Sequence, residues 1–340
     1  MKPYKLLFLI LVLVTIITAC EGNEDPEIIV SHPNPISFDN VEVLCGVLPS
    51  GFYTNVSFPS DSIGYTTTNY GEIFKTEDGG NSWTKQNSGT DLILNDMIFL
   101  DDSNGYVIGY KGTNSSIGII LKTTDGGKSW KSTNMPCRMS SVYFLNETKG
   151  FCMGRNLYMT NDGGASWEEV VLGYSEYYYM NFYDENIGLL STTLSHSGTT
   201  LLKTTDGGNS WATVDQFNDI PHSTVAYNIQ INNNIAYLHA NSNILTTPDK
   251  GNTWQVIPSL LGSSIESYYF INELQIICGG QHWYELGCFP TGLLAITNDG
   301  GKNWERFFAS GFTRINDIEL LNDSTALIVG DVSCILKLKF

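Results

Sequence analysis

The strings "KTTDGGKSW" at residues 122–130 and "KTTDGGNSW" at 203–211 are nearly the same nonapeptide, and four more copies share their frame. These are "KTEDGGNSW" (75–83), "MTNDGGASW" (159–167), "TTPDKGNTW" (246–254) and "ITNDGGKNW" (296–304). In each copy a tryptophan follows an aspartate by five positions: Asp78 and Trp83, Asp125 and Trp130, Asp162 and Trp167, Asp206 and Trp211, Asp249 and Trp254, Asp299 and Trp304. All six share a threonine two residues before the aspartate and a glycine two residues after it. Successive aspartates are 47, 37, 44, 43 and 50 residues apart. A period near 40–45 residues marks the four-stranded blades of a β-propeller.

The text between copies supports this reading. Around the second copy, "DLILNDMIFLDD" alternates as an inner strand, "GYVIGY" makes a second, "GIILKTT" a third and "SWKST" an outer fourth. Aspartate-glycine is a hairpin signal because glycine adopts the positive φ that the turn needs. The aspartate can accept hydrogen bonds from the turn's own amides, and the tryptophan covers the hairpin. The composition agrees: 33 Gly and 18 Tyr in 340 residues, with 16% charged residues, favour short strands and many turns.

The nonapeptide resembles the Asp-box, or BNR, repeat. The form "G-Y-x-x-G … T-x-D-G-G-x-S-W" is most similar to the repeat of the photosystem II stability and assembly factor family, which implies a seven-bladed propeller and a role in assisting assembly. Sialidases and xyloglucan-degrading enzymes share the box in less regular form. Box five departs from the pattern, with Lys250 in place of a glycine, which is expected to weaken that turn.

Six boxes account for six blades. After the last box, "RINDIELLND", "TALIVGD" and "CILKLKF" supply three strands, and "NVEVLCGV" (40–47) is an orphan strand before blade 1. The expected fold is therefore all-β: a seven-bladed β-propeller of four-stranded antiparallel blades, closed by an N-terminal strand that completes the last blade. Closure hides exposed strand edges. It also brings Cys45 near Cys334, an expected disulfide. Cys278 and Cys288 are expected to pin a long loop in blade 6. Cys137 and Cys152 share blade 3, as a pair or as buried free thiols.

The first 19 residues read as a secretory signal: Lys2 and Lys5, an apolar run from Leu6 to Ile17, then "TAC". The run is short for a membrane span. The ending resembles a bacterial lipobox, which implies lipidation of Cys20. Residues 20–38 are polar, acidic and proline-bearing and read as a flexible tether, with the propeller at 39–340. An acidic stretch after the lipidated cysteine resembles the surface-export signal of Bacteroidetes lipoproteins. The expected location is the bacterial envelope, at the outer membrane on its periplasmic or surface side, with membrane contact through the lipid alone. The formal charge is −17, and without Lys2 and Lys5 it is 16 − 35 = −19. Such a field opposes nucleic-acid binding.

Recognition is expected on the face opposite the boxes. The loop "GGQHWYELGCFPTG" (279–292) carries Trp283, the one tryptophan of seven outside the boxes, beside His282, Tyr284 and Glu285. A rigid aromatic loop suits a protein surface or a sugar face; the alternative is burial against its own blade. "GYSEYYYMNFY" (173–183) places Tyr177, Tyr178 and Tyr179 in a row, and alternation forbids all three facing inward. Arg155 is a further binding candidate. His196 and His222 lack metal-ligand spacing, and the boxes lack the spaced carboxylates of a calcium loop; no metal or cofactor is expected. A sialidase needs three converging arginines, and Arg138, Arg155, Arg306 and Arg314 are all there are. Other glycosidases need two facing carboxylates, for which Glu176, Asp219, Glu266 and Glu285 are candidates. The reading leans to a monomeric, non-catalytic scaffold that binds an envelope protein. A surface glycan-binding protein or glycosidase is the alternative.

Overall fold

The computed structural model describes residues 35–49, 51–112, 117–193, 199–214, 226–232, 234–240, 243–258, 264–282, 291–309, 312–332 and 334–340. Its strands form seven four-stranded antiparallel sheets. Blade 1 comprises Tyr53–Ser57, Gly64–Thr68, Ile73–Thr76 and Thr84–Gln86. Blades 2 to 6 begin with the innermost strands Ile93–Phe99, Met139–Phe144, Glu176–Phe182, Ala226–Asn232 and Ser264–Phe270. Blade 7 combines Ile315–Asn322, Thr325–Gly330 and Cys334–Lys339 with the N-terminal strand Val41–Cys45 on its outer edge. Each innermost strand meets those of the flanking blades, which closes the ring.

The ring closes as the sequence predicts. Val41–Cys45 runs antiparallel to the last strand, with Cys45 directly opposite Cys334. The two cysteines pair at disulfide-bonding distance, with Cα atoms 4.2 Å apart and a sequence separation of 289. Residues placed at the end of the tether already belong to the fold. Ile36 is buried between blades 6 and 7, and its backbone N–H donates to Asn298 Oδ1 (2.8 Å) while its carbonyl accepts from Asn298 Nδ2 (2.9 Å). Phe38 packs on Phe307, with ring centroids 5.4 Å apart.

The boxes sit between the third and fourth strands, and one hydrogen-bond scheme explains the shared threonine, aspartate and glycine. In blade 2 the Thr123 hydroxyl donates to Asp125 Oδ1 (2.9 Å) and accepts from the Gly127 N–H (2.9 Å). The other carboxylate oxygen of Asp125 accepts from Ser129 Oγ (2.6 Å). The threonine is therefore the hinge between aspartate and glycine, which is why it is shared by all copies. Gly126 N–H donates to the carbonyl of Ser103, tying the box to the turn between strands one and two. These two sets of turns share one face of the ring, called here the box face.

Between blades the core is a series of wedges, one hydrophobic cluster to each seam. Tyr65 of blade 1 stacks on Phe99 of blade 2 at 3.7 Å, and Trp130 meets Phe99 edge-on. The set Tyr106, Phe144 and Trp167 repeats this one blade on. Phe99 lies so close over Gly105 that a Cβ there would stand 2.4 Å from the ring. In blades 1 to 4 the glycine that opens the second strand thus makes room for the phenylalanine at the end of the first. Blades 5 to 7 lack the pair: Ile231 stands opposite Ala236, Phe270 opposite Ile276 and Leu320 opposite Ala326.

Two sequence expectations change. Lys250 adopts the positive φ (59°) that glycine would take. Its ammonium reaches back to blade 4, 3.1 Å from Asp184 Oδ2 and over the Tyr183 ring, so an ion pair offsets the backbone strain. Cys278 does not staple the blade 6 loop. It is a free, buried thiol in the middle of Ile276–His282, because the strand runs on past it to His282. Its proposed partner, Cys288, lies outside the described residues. Cys137 and Cys152 are both buried free thiols at the seam of blades 2 and 3.

Candidate functional site

The innermost strands carry a β-bulge near their starts, as between Tyr53 and Asn55, Leu94 and Asp96, and Ile315 and Asp317. A bulge re-aims side chains locally. Here it sends polar groups across the seams. Asn316 Nδ2 donates to the carbonyl of Tyr53 (2.7 Å), Thr54 Oγ1 to that of Leu94 (2.6 Å) and Asn95 Nδ2 to that of Ser140 (2.7 Å). Of the residues after the bulge, Asn55, Asn228, Ser267 and Asp317 line the central channel, a cavity of about 330 Å³.

Two carboxylates occupy this position. Asp96 Oδ2 accepts from the Val142 N–H of blade 3 (2.9 Å), and Oδ1 from its neighbour Met97 N–H (2.9 Å). Asp317 Oδ2 accepts from the Val56 N–H of blade 1 (2.9 Å), and Oδ1 from Ile318 N–H (2.9 Å). Each aspartate pins its blade to the next. Protein surrounds both, although the channel lets water reach them. Burial pushes the Asp96 carboxyl up to about 6 against its hydrogen bonds. Burial pushes Asp317 up to about 8, with added repulsion from Glu319 and Asp96. Sequence reading missed this pair. The signal was present: "LNDM" (94–97) and "INDI" (315–318) share the Asn-Asp dipeptide at the same point of an inner strand.

The box carboxylates behave oppositely. The Ser129 hydroxyl and amide, with Thr123, draw Asp125 down to about 2. Asp206 is held at about 2 by Ser210 and Thr204. For Asp78, burial pushes up but is outweighed by Ser82, Thr76 and Asn81, to about 2. These groups are saturated by their own turns.

The expected recognition residues scatter. Tyr177 is 3% exposed and belongs to the core between blades 3 and 4, so it offers no ring to a partner. Tyr178 donates its hydroxyl to Glu176 Oε2 (2.9 Å), and Tyr179 packs on the core between blades 4 and 5. A bulge between Tyr177 and Met180, not simple alternation, sorts the three rings. Arg155 is exposed at the turn between the second and third strands of blade 3. His282 ends a strand and packs on the half-exposed Phe308. Cys20, His196, Asp219, His222, Trp283, Tyr284 and Glu285 lie outside the described residues. The arginines do not converge: Arg138 lies over the Tyr110 ring, and Arg314 faces Glu266 at 3.8 Å on the other side of the ring. Among the described residues no group of three or more His, Cys, Asp or Glu side chains gathers as a metal site.

Two surface features were not anticipated. On the face opposite the boxes, Phe52 (46% exposed) and Tyr70 (55%) form an aromatic pair, with centroids 6.3 Å apart. Tyr70 borders a polar cleft of about 530 Å³ with Glu72, Lys85 and Asn87. On the box face a groove of about 740 Å³ opens beside the channel, between the first turns of blades 7 and 1.

Seven blades around a channel, six of them carrying an Asp-box, define a propeller of the BNR class. The profile of the photosynthesis system II assembly factor YCF48 family matches residues 86–174 and 138–266, together more than half of the chain. The chain belongs to that family. No curated protein matches it in sequence. Among solved structures, YCF48 bound to a D1 peptide is similar over 90% of this chain and 98% of its own, with TM-score 0.67 and 18% identity. YCF48 from Cyanidioschyzon merolae follows at 0.65 and 15%, covering 88% and 98%. The GH74 xyloglucanase from Xanthomonas campestris shares the fold at 0.65 and 13%, over 86% of this chain and 52% of its own.

Proposed function

We propose that this protein is a non-catalytic propeller that binds protein partners as an assembly scaffold at a bacterial envelope, held there by a lipid on Cys20. The observation that carries the reading is the family match across residues 86–266. A family relative is recorded with a D1 peptide bound, which supports peptide or protein binding as the shared mode. The carboxylate chemistry also supports it. The box acids are consumed by their turns, and the channel acids are consumed by inter-blade amides. Glu176 and Glu266 are engaged by Tyr178 and Arg314. An N-terminal signal ending in "TAC", followed by an acidic stretch, supports export and anchoring. Pairing of Cys45 with Cys334 fits an oxidising compartment.

Affinity capture from solubilised envelope, with the full chain as bait, tests the reading. Recovery of defined envelope proteins is expected. A glycan-binding reading has one observation in its favour, the exposed Phe52–Tyr70 pair beside a polar cleft. Capture on a glycan array that is lost in Tyr70→Ala, with no protein recovered, would replace the scaffold by that reading.

A further inference from the structure

We propose that the groove on the box face between blades 7 and 1 docks a peptide segment in which an aliphatic residue is flanked by lysine or arginine. The proposal rests on the protein-binding reading above and names the chemistry of the partner.

The groove lies where two adjoining blades, 7 and 1, carry smaller side chains at these turns than blades 2 and 3 do. In blades 2 and 3 the residue after the conserved phenylalanine is Leu100 and Leu145, both buried in the wedge beneath. In blade 1 that position is Pro59, which is shorter and stays partly exposed. In blade 7 the phenylalanine itself is replaced by Leu320. Less side-chain volume at adjoining turns leaves a concavity of about 740 Å³, floored by Phe58, Pro59, Leu320 and Leu321. Unfilled apolar volume of this size at a surface suits a ligand side chain.

The rim selects the charge. Asp61, Asp102 and Asp323 stand around the floor, and no lysine or arginine is among the lining residues. All three are exposed. The whole chain adds a field of −17. An acidic rim over an apolar floor favours a partner with the complementary order, apolar tip and cationic flanks. Tyr269 lines both the groove and the channel mouth, so its ring extends the apolar floor inward.

The test uses the full chain in detergent and three fluorescein-labelled decapeptides: alternating Lys and Leu, alternating Lys and Ser, and alternating Glu and Leu. Anisotropy is read for wild type, for Asp102→Lys/Asp323→Lys and for Pro59→Leu, which restores the repeat's own residue. Both changes are at exposed or partly exposed positions, and thermal unfolding verifies that the variants fold. The Lys-Leu peptide is expected to bind about tenfold tighter than either other peptide. Binding should weaken about tenfold in the charge reversal and with added salt. It should also weaken in Pro59→Leu, which leaves the charge untouched. Equal binding of the Lys-Ser peptide, or undiminished binding by Pro59→Leu, would overturn the groove and reveal mere attraction to an acidic surface. Envelope capture separates the two claims. Groove variants that keep every envelope partner would overturn the groove as the partner site while leaving the scaffold reading intact. A wild type that binds the Lys-Leu peptide but captures nothing would leave the groove standing and remove the envelope role.

Discussion

Asp125 and Asp96 belong to the same blade, and both are held by backbone amides, yet their surroundings drive them apart. Asp125 sits on the outer turn, where donors from its own hairpin reach it and water is near, and its carboxyl is drawn down to about 2. Asp96 sits on the innermost strand, where burial outweighs similar donors and pushes it up to about 6. The lesson is that hydrogen bonds to a carboxylate favour its charge, whereas removal from water opposes it, and the balance is set by position in the ring. Box aspartates serve one turn each. Channel aspartates join one blade to the next.

The largest effect is expected where the ring closes, at the outer strands of blade 7. Removing the Cys45–Cys334 bond, by Cys45→Ser with Cys334→Ser, frees a loop that spans nearly the whole propeller and should cost about 5 kcal/mol in the chain-entropy account. Denaturant unfolding of wild type with and without reductant gives the value. No change on reduction would mean that the thiols are unpaired in the protein.

Asp317→Ala should come next, at about 3 kcal/mol, because the Val56 and Ile318 amides lose their acceptor in a buried place. At pH 5 the Asp317 carboxyl is protonated, and Asp317→Asn keeps one acceptor, so it should cost only about 1 kcal/mol there. Equal losses in the two variants would show that Asp317 packs rather than bonds. Thr204→Val tests the rim. It keeps shape but strips the hydroxyl that receives the Gly208 N–H and feeds Asp206. A loss of about 2 kcal/mol is expected in equilibrium unfolding.

The pH dependence separates the two sets by sign. The box carboxylates lie below their unfolded value of 3.8, so their stabilisation is complete above it and is lost as pH falls through about 2. Asp96 and Asp317 lie above that value. Their contribution is complete below 3.8 and is lost as pH rises, first through about 6 and then through about 8. Wild type should therefore be most stable near pH 4 and weaken as pH rises to about 8, with little further loss above, and Asp317→Asn should weaken less. Parallel curves for the two proteins would remove Asp317 from the account. The smallest effect is Lys250→Gly. Relief of a left-handed lysine is worth ~1 kcal/mol, and the lost exposed ion pair with Asp184 offsets it. The unfolding midpoint should hardly move.

Most of the fold was legible because the box is local. A turn that consumes its own aspartate, threonine and glycine writes the same letters wherever it recurs, and its spacing counts the blades. The closing strand was legible from arithmetic: blade 7 lacked a strand and the N-terminus had one to spare. The channel pair was harder to read. Asp96 and Asp317 lie in different blades, and their work depends on Val142 and Val56, which alternation marks as ordinary strand residues. The groove was hidden for a related reason, since it is made by what Pro59 and Leu320 fail to fill. Which way each of Tyr177–Tyr179 turns was not legible, because a bulge between Tyr177 and Met180 interrupts the two-residue alternation.

The direct measurement is a carbon-13 carboxyl NMR titration of aspartate-labelled protein, with Asp96→Asn and Asp317→Asn to assign the channel resonances. The account predicts that the box carboxylates stay ionised down to about pH 2 to 3, while one channel resonance moves near pH 6 and the other near pH 8. Channel resonances that titrate below pH 4 alongside the box carboxylates would contradict it.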